Sequence, residues 1–223
     1  MRKMKVLNLY ACLGGNRYKW DEVAQDARIE MEVTAVELDA EAARLYQERF
    51  PNDKVIVADA HQYLLDNFKE FDFIWSSPPC PSHSRARRAN TRVDVCYPDL
   101  KLYEEIIFLE SFFNGKFVVE NVIPYYEPLI PAQKRGRHLY WTNFILPNIL
   151  SERHCPVGSG VDEVSKLCVF HDYDFRKYKG GQRTDKMARN LVDYEAGRTI
   201  FETALGIIKK KDVNQVSLFD FDV

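Results

Sequence analysis

The sequence predicts an α/β fold with an open, mostly parallel sheet. Two observations carry this. Short runs rich in β-branched and aromatic residues alternate with helical stretches over the first half of the chain. The residues that follow those runs are glycines, carboxylates and a cysteine, the types such sheets place at their ligand-binding edge.

The elements follow in order. "KVLNLY" (5–10) reads as a buried strand and "MEVTAVELD" (31–39) as the next. "EAARLYQERF" (41–50) has helical apolar spacing and stops at Pro51. "KVIVAD" (54–59), "FDFIWSS" (71–77) and "KFVVENV" (116–122) are further strands. Between the last two, "PDLKLYEEIIFLESFFNG" (98–115) reads as a helix closed by Asn114-Gly115. "GRHLYWTNFILPN" (136–148) is strand material. Residues 148–186 read as irregular, and "DYEAGRTIFETALGIIKK" (193–210) returns to helical spacing.

With 223 residues the chain suffices for one domain and a small insertion. A net charge of −2 means that any nucleic-acid surface is a local patch. Five widely spaced cysteines argue against a secreted disulfide framework. No apolar run reaches bilayer length, so no membrane role and a cytoplasmic location are expected. His154, Cys155, Cys168 and His171 lack paired CxxC spacing and read as packed or half-exposed side chains, with no metal site expected.

The strand ends describe a nucleoside pocket. Gly14 and Gly15 let the chain turn sharply after the first strand. Glu37 and Asp39 end the second, where a carboxylate accepts from ribose hydroxyls, and Asp59 ends the third. Neither GxGxxG nor GxxxxGK[ST] occurs, which argues against NAD and ATP, and so against an oxidoreductase.

Cys80 follows the fourth strand. Pro78 and Pro79 stiffen the turn that presents its sulfur. Arg85, Arg87, Arg88 and Arg92 follow within twelve residues, and cations lower a thiol's pKa. "FVVENV" puts Glu120 and Asn121 at the fifth strand end, and "QKRGR" (133–137) puts Arg135 and Arg137 two apart. Cysteine, glutamate and arginine around one pocket suit covalent activation of a pyrimidine at C6, leaving C5 nucleophilic.

In this order these residues resemble the DNA (cytosine-5) methyltransferase family, in its compact bacterial and bacteriophage form. "NLYACLGG" resembles the S-adenosylmethionine loop, "VELD" and "ADA" the acidic motifs, "SPPCPSHS" the Pro-Cys loop, "ENV" the glutamate motif, "QKRGR" the Gln-x-Arg-x-Arg motif and "RNLVDYEAG" the last motif. The resemblance spans most of residues 5–208. Asn8, Tyr10 and Cys12 stand where Asp, Phe and Gly are usual; Pro81 replaces a glutamine, Arg189 a glycine, and Tyr194 lies near an expected proline.

The resemblance implies a class I S-adenosylmethionine-dependent (Rossmann-like) fold. Residues 1–143 and 187–208 would form the catalytic domain, 144–186 a small irregular target-recognition region, and 209–223 a tail. It implies S-adenosyl-L-methionine held by Tyr10, Gly14, Gly15, Glu37, Asp59, Pro78, Asn190 and Val192. It implies catalysis by Cys80, Glu120, Arg135 and Arg137 on a cytosine flipped from duplex DNA. Such enzymes serve restriction-modification, and a monomer in a bacterial host cell is expected. Ser84, Arg85, Arg87, Arg88, Arg92, Lys177 and Arg183 are the expected DNA contacts, with Lys179, Gln182 and Lys186 as further candidates. So short a recognition region implies a short or relaxed target sequence. "QVSLF" (215–219) resembles the peptide that docks on the bacterial replicative sliding clamp, through Gln215, Leu218 and Phe219. The alternatives are an RNA (tRNA) cytosine-5 methyltransferase, a catalytically weak DNA-binding relative, and a modified methyl donor.

Overall fold

Near-continuous apolar runs build a seven-stranded sheet with helices on both faces. The computed structural model describes residues 2–85, 96–158 and 160–207. The strands are β1 (Arg2–Leu9), β2 (Ile29–Glu37), β3 (Lys54–Val57), β4 (Phe73–Ser76), β5 (Lys116–Val122), β6 (Gln133–Arg135) and β7 (His138–Thr142). Their order is β3-β2-β1-β4-β5-β7-β6. β1 to β5 pair in parallel, and β7 runs antiparallel to both β5 and β6. The helices are α1 (Trp20–Asp26), α2 (Ala40–Arg49), α3 (Ala60–Asn67), α4 (Lys101–Phe112), α5 (Glu163–His171), α6 (Thr184–Arg189) and α7 (Tyr194–Ala204).

The two-residue period of the strands sorts the core into two layers. Leu7, Leu9, Ile74, Phe117 and Val119 face one side and bury Leu64 of α3 with Leu102, Ile106 and Leu109 of α4. Val6, Val33, Phe73, Trp75 and Val118 face the other and bury Trp20 of α1 with Ile200 and Phe201 of α7. Trp20 has no exposed surface and stacks on Phe201 with ring centroids 5.0 Å apart. Because both faces are covered, the strands read as near-continuous apolar runs.

Three of the helices start where a carboxylate satisfies free backbone N–H groups. Asp39 accepts from Glu41 N and Ala42 N at the start of α2, Asp59 from Gln62 N at α3, and Asp193 from Glu195 N at α7. Two of these caps are acids at the ends of the second and third predicted strands. The same carboxylates thus close a strand and open a helix.

The stretch 148–186, read from sequence as irregular, contains α5, the start of α6 and a 3₁₀ turn at Phe175–Lys177. It packs as a third apolar cluster. Leu167, Phe175 and Tyr178 meet Leu13, Ala42 and Leu45 of the main body, with Met187 and Leu191 alongside. Two arginines fasten α5. Arg49 of α2 donates to Leu13 O at 3.0 Å and to His171 O at 3.1 Å, and Arg153 donates to the Phe170 carbonyl.

Candidate active site

The carboxyl ends of β1, β2, β4 and β5 open onto one cleft of about 640 Å³, the size of a small-molecule site. It lies where the strand order reverses, between β1 and β4.

One end of the cleft is built from the turn after β1. Tyr10, Cys12 and Gly14 all take left-handed backbone conformations, at φ of 54°, 48° and 70°. Cys12 adopts this turn without being glycine. Its N–H is held by Glu37 Oε2 at 2.8 Å, while Glu37 Oε1 accepts from Asp39 N at 2.9 Å. Burial and the Glu37 charge push the Cys12 thiol up. Asn8 is buried and accepts from Asn16 Nδ2 at 2.8 Å, so the unusual asparagine is satisfied by a second amide. Gly15 is needed for close approach: a Cβ there would lie 2.3 Å from Val192 O and 2.6 Å from Leu191 Cγ. The turn and the segment before α7 therefore touch, as floor and roof of this end. Gln182, Lys186, Met187, Asn190, Leu191 and Val192 complete the roof. Asp39 is committed elsewhere, since its other oxygen accepts from Tyr178 OH.

The chemistry of this end fits S-adenosylmethionine. Glu37 and Asp59 line it as acceptors, and the backbone N–H groups at Gln62 and His61 hold Asp59 below the usual carboxylate range. Beside them Leu38 exposes 70% of its surface, an apolar face for a base next to an acceptor for ribose. Acceptors suit a donor that carries hydroxyls, an ammonium and a sulfonium but no phosphate. Tyr10, Gly15, Pro78, Asn190 and Val192 line the same cleft, whereas Gly14 packs behind it against Tyr46 and Phe50.

The other end holds Cys80. Pro78 is pinned because Asn121 Nδ2 donates to its carbonyl at 3.0 Å. The Cys80 carbonyl accepts from His83 N and Ser84 N, both at 3.0 Å, which winds the next residues into a turn. His83 is hydrogen-bonded to Tyr126, Ser84 bridges Pro124, and Arg85 Nε donates to Pro124 O at 2.8 Å. From His83 to Arg85 the chain after the thiol is thus tied to the chain that follows β5. Burial and the Glu120 charge push the Cys80 thiol up, and Lys186 across the cleft partly offsets this. The sequence reading expected the arginine burst to lower it. Arg85 is instead engaged with a carbonyl, and Arg87, Arg88 and Arg92 lie outside the described residues.

Glu120 is buried and lines the cleft with Asn121 and Val122. The paired arginines do not join them. Arg135 spends its guanidinium on carbonyls, with Nε to Pro147 O at 2.6 Å and Nη2 to Leu146 O at 2.7 Å. Gly136 turns the hairpin at φ 56°, and Arg137 is exposed beside it. Neither lines the cleft; His138 does. Its Nε2 lies 3.5 Å from Glu120 Oε1.

Glu105 also belongs to this region, without a motif to mark it. This α4 carboxylate has no exposed surface and accepts from Tyr10 OH at 2.6 Å and Ser76 Oγ at 2.6 Å, with His61 Nδ1 at 3.0 Å. It ties three cleft-side elements together and raises His61 above its ordinary pKa. Its signal was only a pair of acids, Glu104-Glu105, inside an apolar helix.

Of the expected DNA contacts outside the loop, Lys177 is exposed at 5.9 Å from the Tyr173 ring centroid, and Arg183 pairs with Asp185 in two bonds of 3.0 Å. Among the described residues no group of three His, Cys, Asp or Glu side chains forms a metal site, and no helix is long and apolar enough to cross a membrane.

No curated protein sequence matches the chain. A DNMT2 triple-substitution variant of Spodoptera frugiperda is similar at 26% identity over 53% of this chain and 35% of that one, with a TM-score of 0.38. The SAM-dependent methyltransferase from Agrobacterium tumefaciens is similar at 21% identity over 56% and 40%, with a TM-score of 0.37. The chain thus spans about a third of the length of the insect protein. A family model described as C-5 cytosine-specific DNA methylase matches residues 4–123, which include most of β1, all of β2 to β5, Cys80 and Glu120. That match takes in more than half of the 223 residues, and the chain belongs to the C-5 cytosine-specific DNA methylase family.

Proposed function

We propose that the chain methylates C5 of a cytosine flipped out of duplex DNA, through a covalent bond from Cys80. The observation that supports this best is that Cys80 and Glu120 share one cleft with Glu37, Asp59 and Asn190. S-adenosylmethionine, the methyl donor of this family, supplies an electrophilic methyl group at the acceptor-rich end.

The residues of the chain do the rest. In the free protein Cys80 is a thiol, because burial and Glu120 oppose its charge. A base whose N3 and exocyclic amine engage Glu120 covers that charge, which favours transfer of the thiol proton to the Glu120 carboxylate. The sulfur then bonds to C6. The C5=C6 pair shifts to C4–C5, the C4=N3 pair moves to N3, and N3 takes a proton from the Glu120 carboxyl. C5 takes the methyl group with the C4–C5 pair as the N3 lone pair re-forms C4=N3, and the spent donor leaves as a neutral thioether. Loss of the C5 proton to water then forms C5=C6 as the C6–S bond breaks to release Cys80, and N3 returns its proton to Glu120. Arg137, exposed in the hairpin turn beside His138, closes over O2 of the base in this reading, and Arg135 supports the turn.

Outside the cleft, Ser84, Arg85, Arg87, Arg88 and Arg92 grip phosphates around the vacated position, and residues 144–186 read a short target. The QVSLF tail, outside the described residues, docks on a bacterial sliding clamp. Loss of clamp capture on replacing Leu218 and Phe219 by alanine is the expected result there, and unchanged capture refutes it.

The deciding experiment is labelled-methyl transfer to defined duplex DNA and to tRNA, with base-resolution mapping of the product. Label at C5 of cytosine in DNA, abolished in Cys80→Ser, is expected. Label in tRNA alone, or full transfer by Cys80→Ser, refutes the reading.

A further inference from the structure

We propose that His138 is a positioning residue that acts on the target base through Glu120. The proposal rests on the methyltransferase reading of the same cleft. His138 opens β7 and pairs with Val122 across the ladder, while Glu120 pairs with Tyr140. Strand alternation therefore puts His138 and Glu120 on one face of the sheet, diagonally across from each other. The imidazole Nε2 stands 3.5 Å from Glu120 Oε1, and no other ion-pair partner of Glu120 occurs among the described residues. The ring edge packs on Tyr140, with centroids 6.3 Å apart, which limits how it can turn. Its side chain keeps a third of its surface open to the cleft. Arg135, paired with His138 across the next ladder, points its guanidinium at carbonyls instead.

The chemistry gives the pair a purpose. The edge of cytosine offers N3, which must receive a proton, and an amine, which must donate one hydrogen bond. One carboxyl group serves both only if its two oxygens are distinguished. A hydrogen bond from His138 to Oε1 keeps that oxygen an acceptor and leaves Oε2 to carry the proton. The proton delivered to N3 as sulfur adds at C6 then comes from Oε2, and returns there when Cys80 departs. A separation of 3.5 Å is long for a hydrogen bond, and such contacts tighten when substrate binds.

The test is steady-state labelled-methyl transfer to a defined duplex by wild type, His138→Leu and His138→Gln, with thermal unfolding of each. His138→Leu is expected to lower kcat about tenfold or more, with KM for DNA changed less than about threefold, as for a lost hydrogen bond to a charged group. His138→Gln, whose amide still donates, regains most of the rate. If the leucine variant is unfolded at the assay temperature, His138→Asn replaces it, since its shorter amide stops short of Oε1 and predicts the same loss. A leucine variant with wild-type kcat overturns the proposal, as do equal losses in both variants with a raised KM. In either case wild-type activity leaves the parent reading standing. A wild-type chain that neither methylates DNA nor is trapped by a 5-fluorocytosine duplex overturns both.

Discussion

Acid should weaken this protein through one buried imidazole. His171 ends α5 with 1% of its surface exposed, between the rings of Phe170 and Phe175, and neither ring nitrogen has a hydrogen-bond partner among the described residues. Burial first, then the charges of Arg49 and Arg153, bring its pKa from 6.5 down to about 3. Because the folded value is depressed, the unfolded chain takes up the proton first. The penalty is absent well above pH 6.5 and grows as pH falls from there toward 3. With those two values, protonation at pH 5 costs about 2 kcal/mol relative to pH 8. His171→Leu removes the titration and keeps the backbone carbonyl that Arg49 holds. Urea unfolding of both proteins at pH 8 and pH 5 reads the effect. Wild type should lose about 2 kcal/mol more than the variant, near 1 M in urea midpoint at a typical slope. Equal losses in the two proteins would refute the reasoning.

Other substitutions probe the cleft, the DNA contacts and the core. Gly15→Ala drives a Cβ into Val192 O and lifts the roof, so calorimetry should show about tenfold weaker S-adenosylhomocysteine binding; unchanged affinity means the roof gives freely. Replacing Arg87 and Arg88 by alanine should flatten the slope of log K for DNA against log salt by about two, and an unchanged slope removes them from the phosphate contacts. Phe201→Ala opens a void beside Trp20 and Phe73 and should cost about 3–5 kcal/mol in denaturant unfolding, with under 1 kcal/mol counting against this packing.

The sheet was legible because its strands are buried on both faces and so stand out as apolar runs. The short helices α1 and α3 were not, since seven and eight residues give too few turns to show a period. Within the cleft, Cys80 and Glu120 were readable because each lies at or just past the carboxyl end of a strand, and topology alone brings those ends together. Arg135 and Arg137 were placed by their spacing as if extended. Gly136 bends the chain between them, and the carbonyls of Leu146 and Pro147 claim the first. His138 and Glu105 were out of reach for another reason. Their partners lie 18 and 95 residues away, in Glu120 and Tyr10, and only the folded register pairs them.

Residues 175–192 form one unbroken stretch that bears Lys177 and Arg183 on its outside and supplies the lid over the donor's end of the cleft. In the proposed reading, where Lys177 and Arg183 contact DNA, affinity for the duplex and the dwell time of the spent donor are not separate quantities. A substitution that loosens the lid to speed turnover would then also move the basic side chains, and evolution or engineering could adjust the two only together.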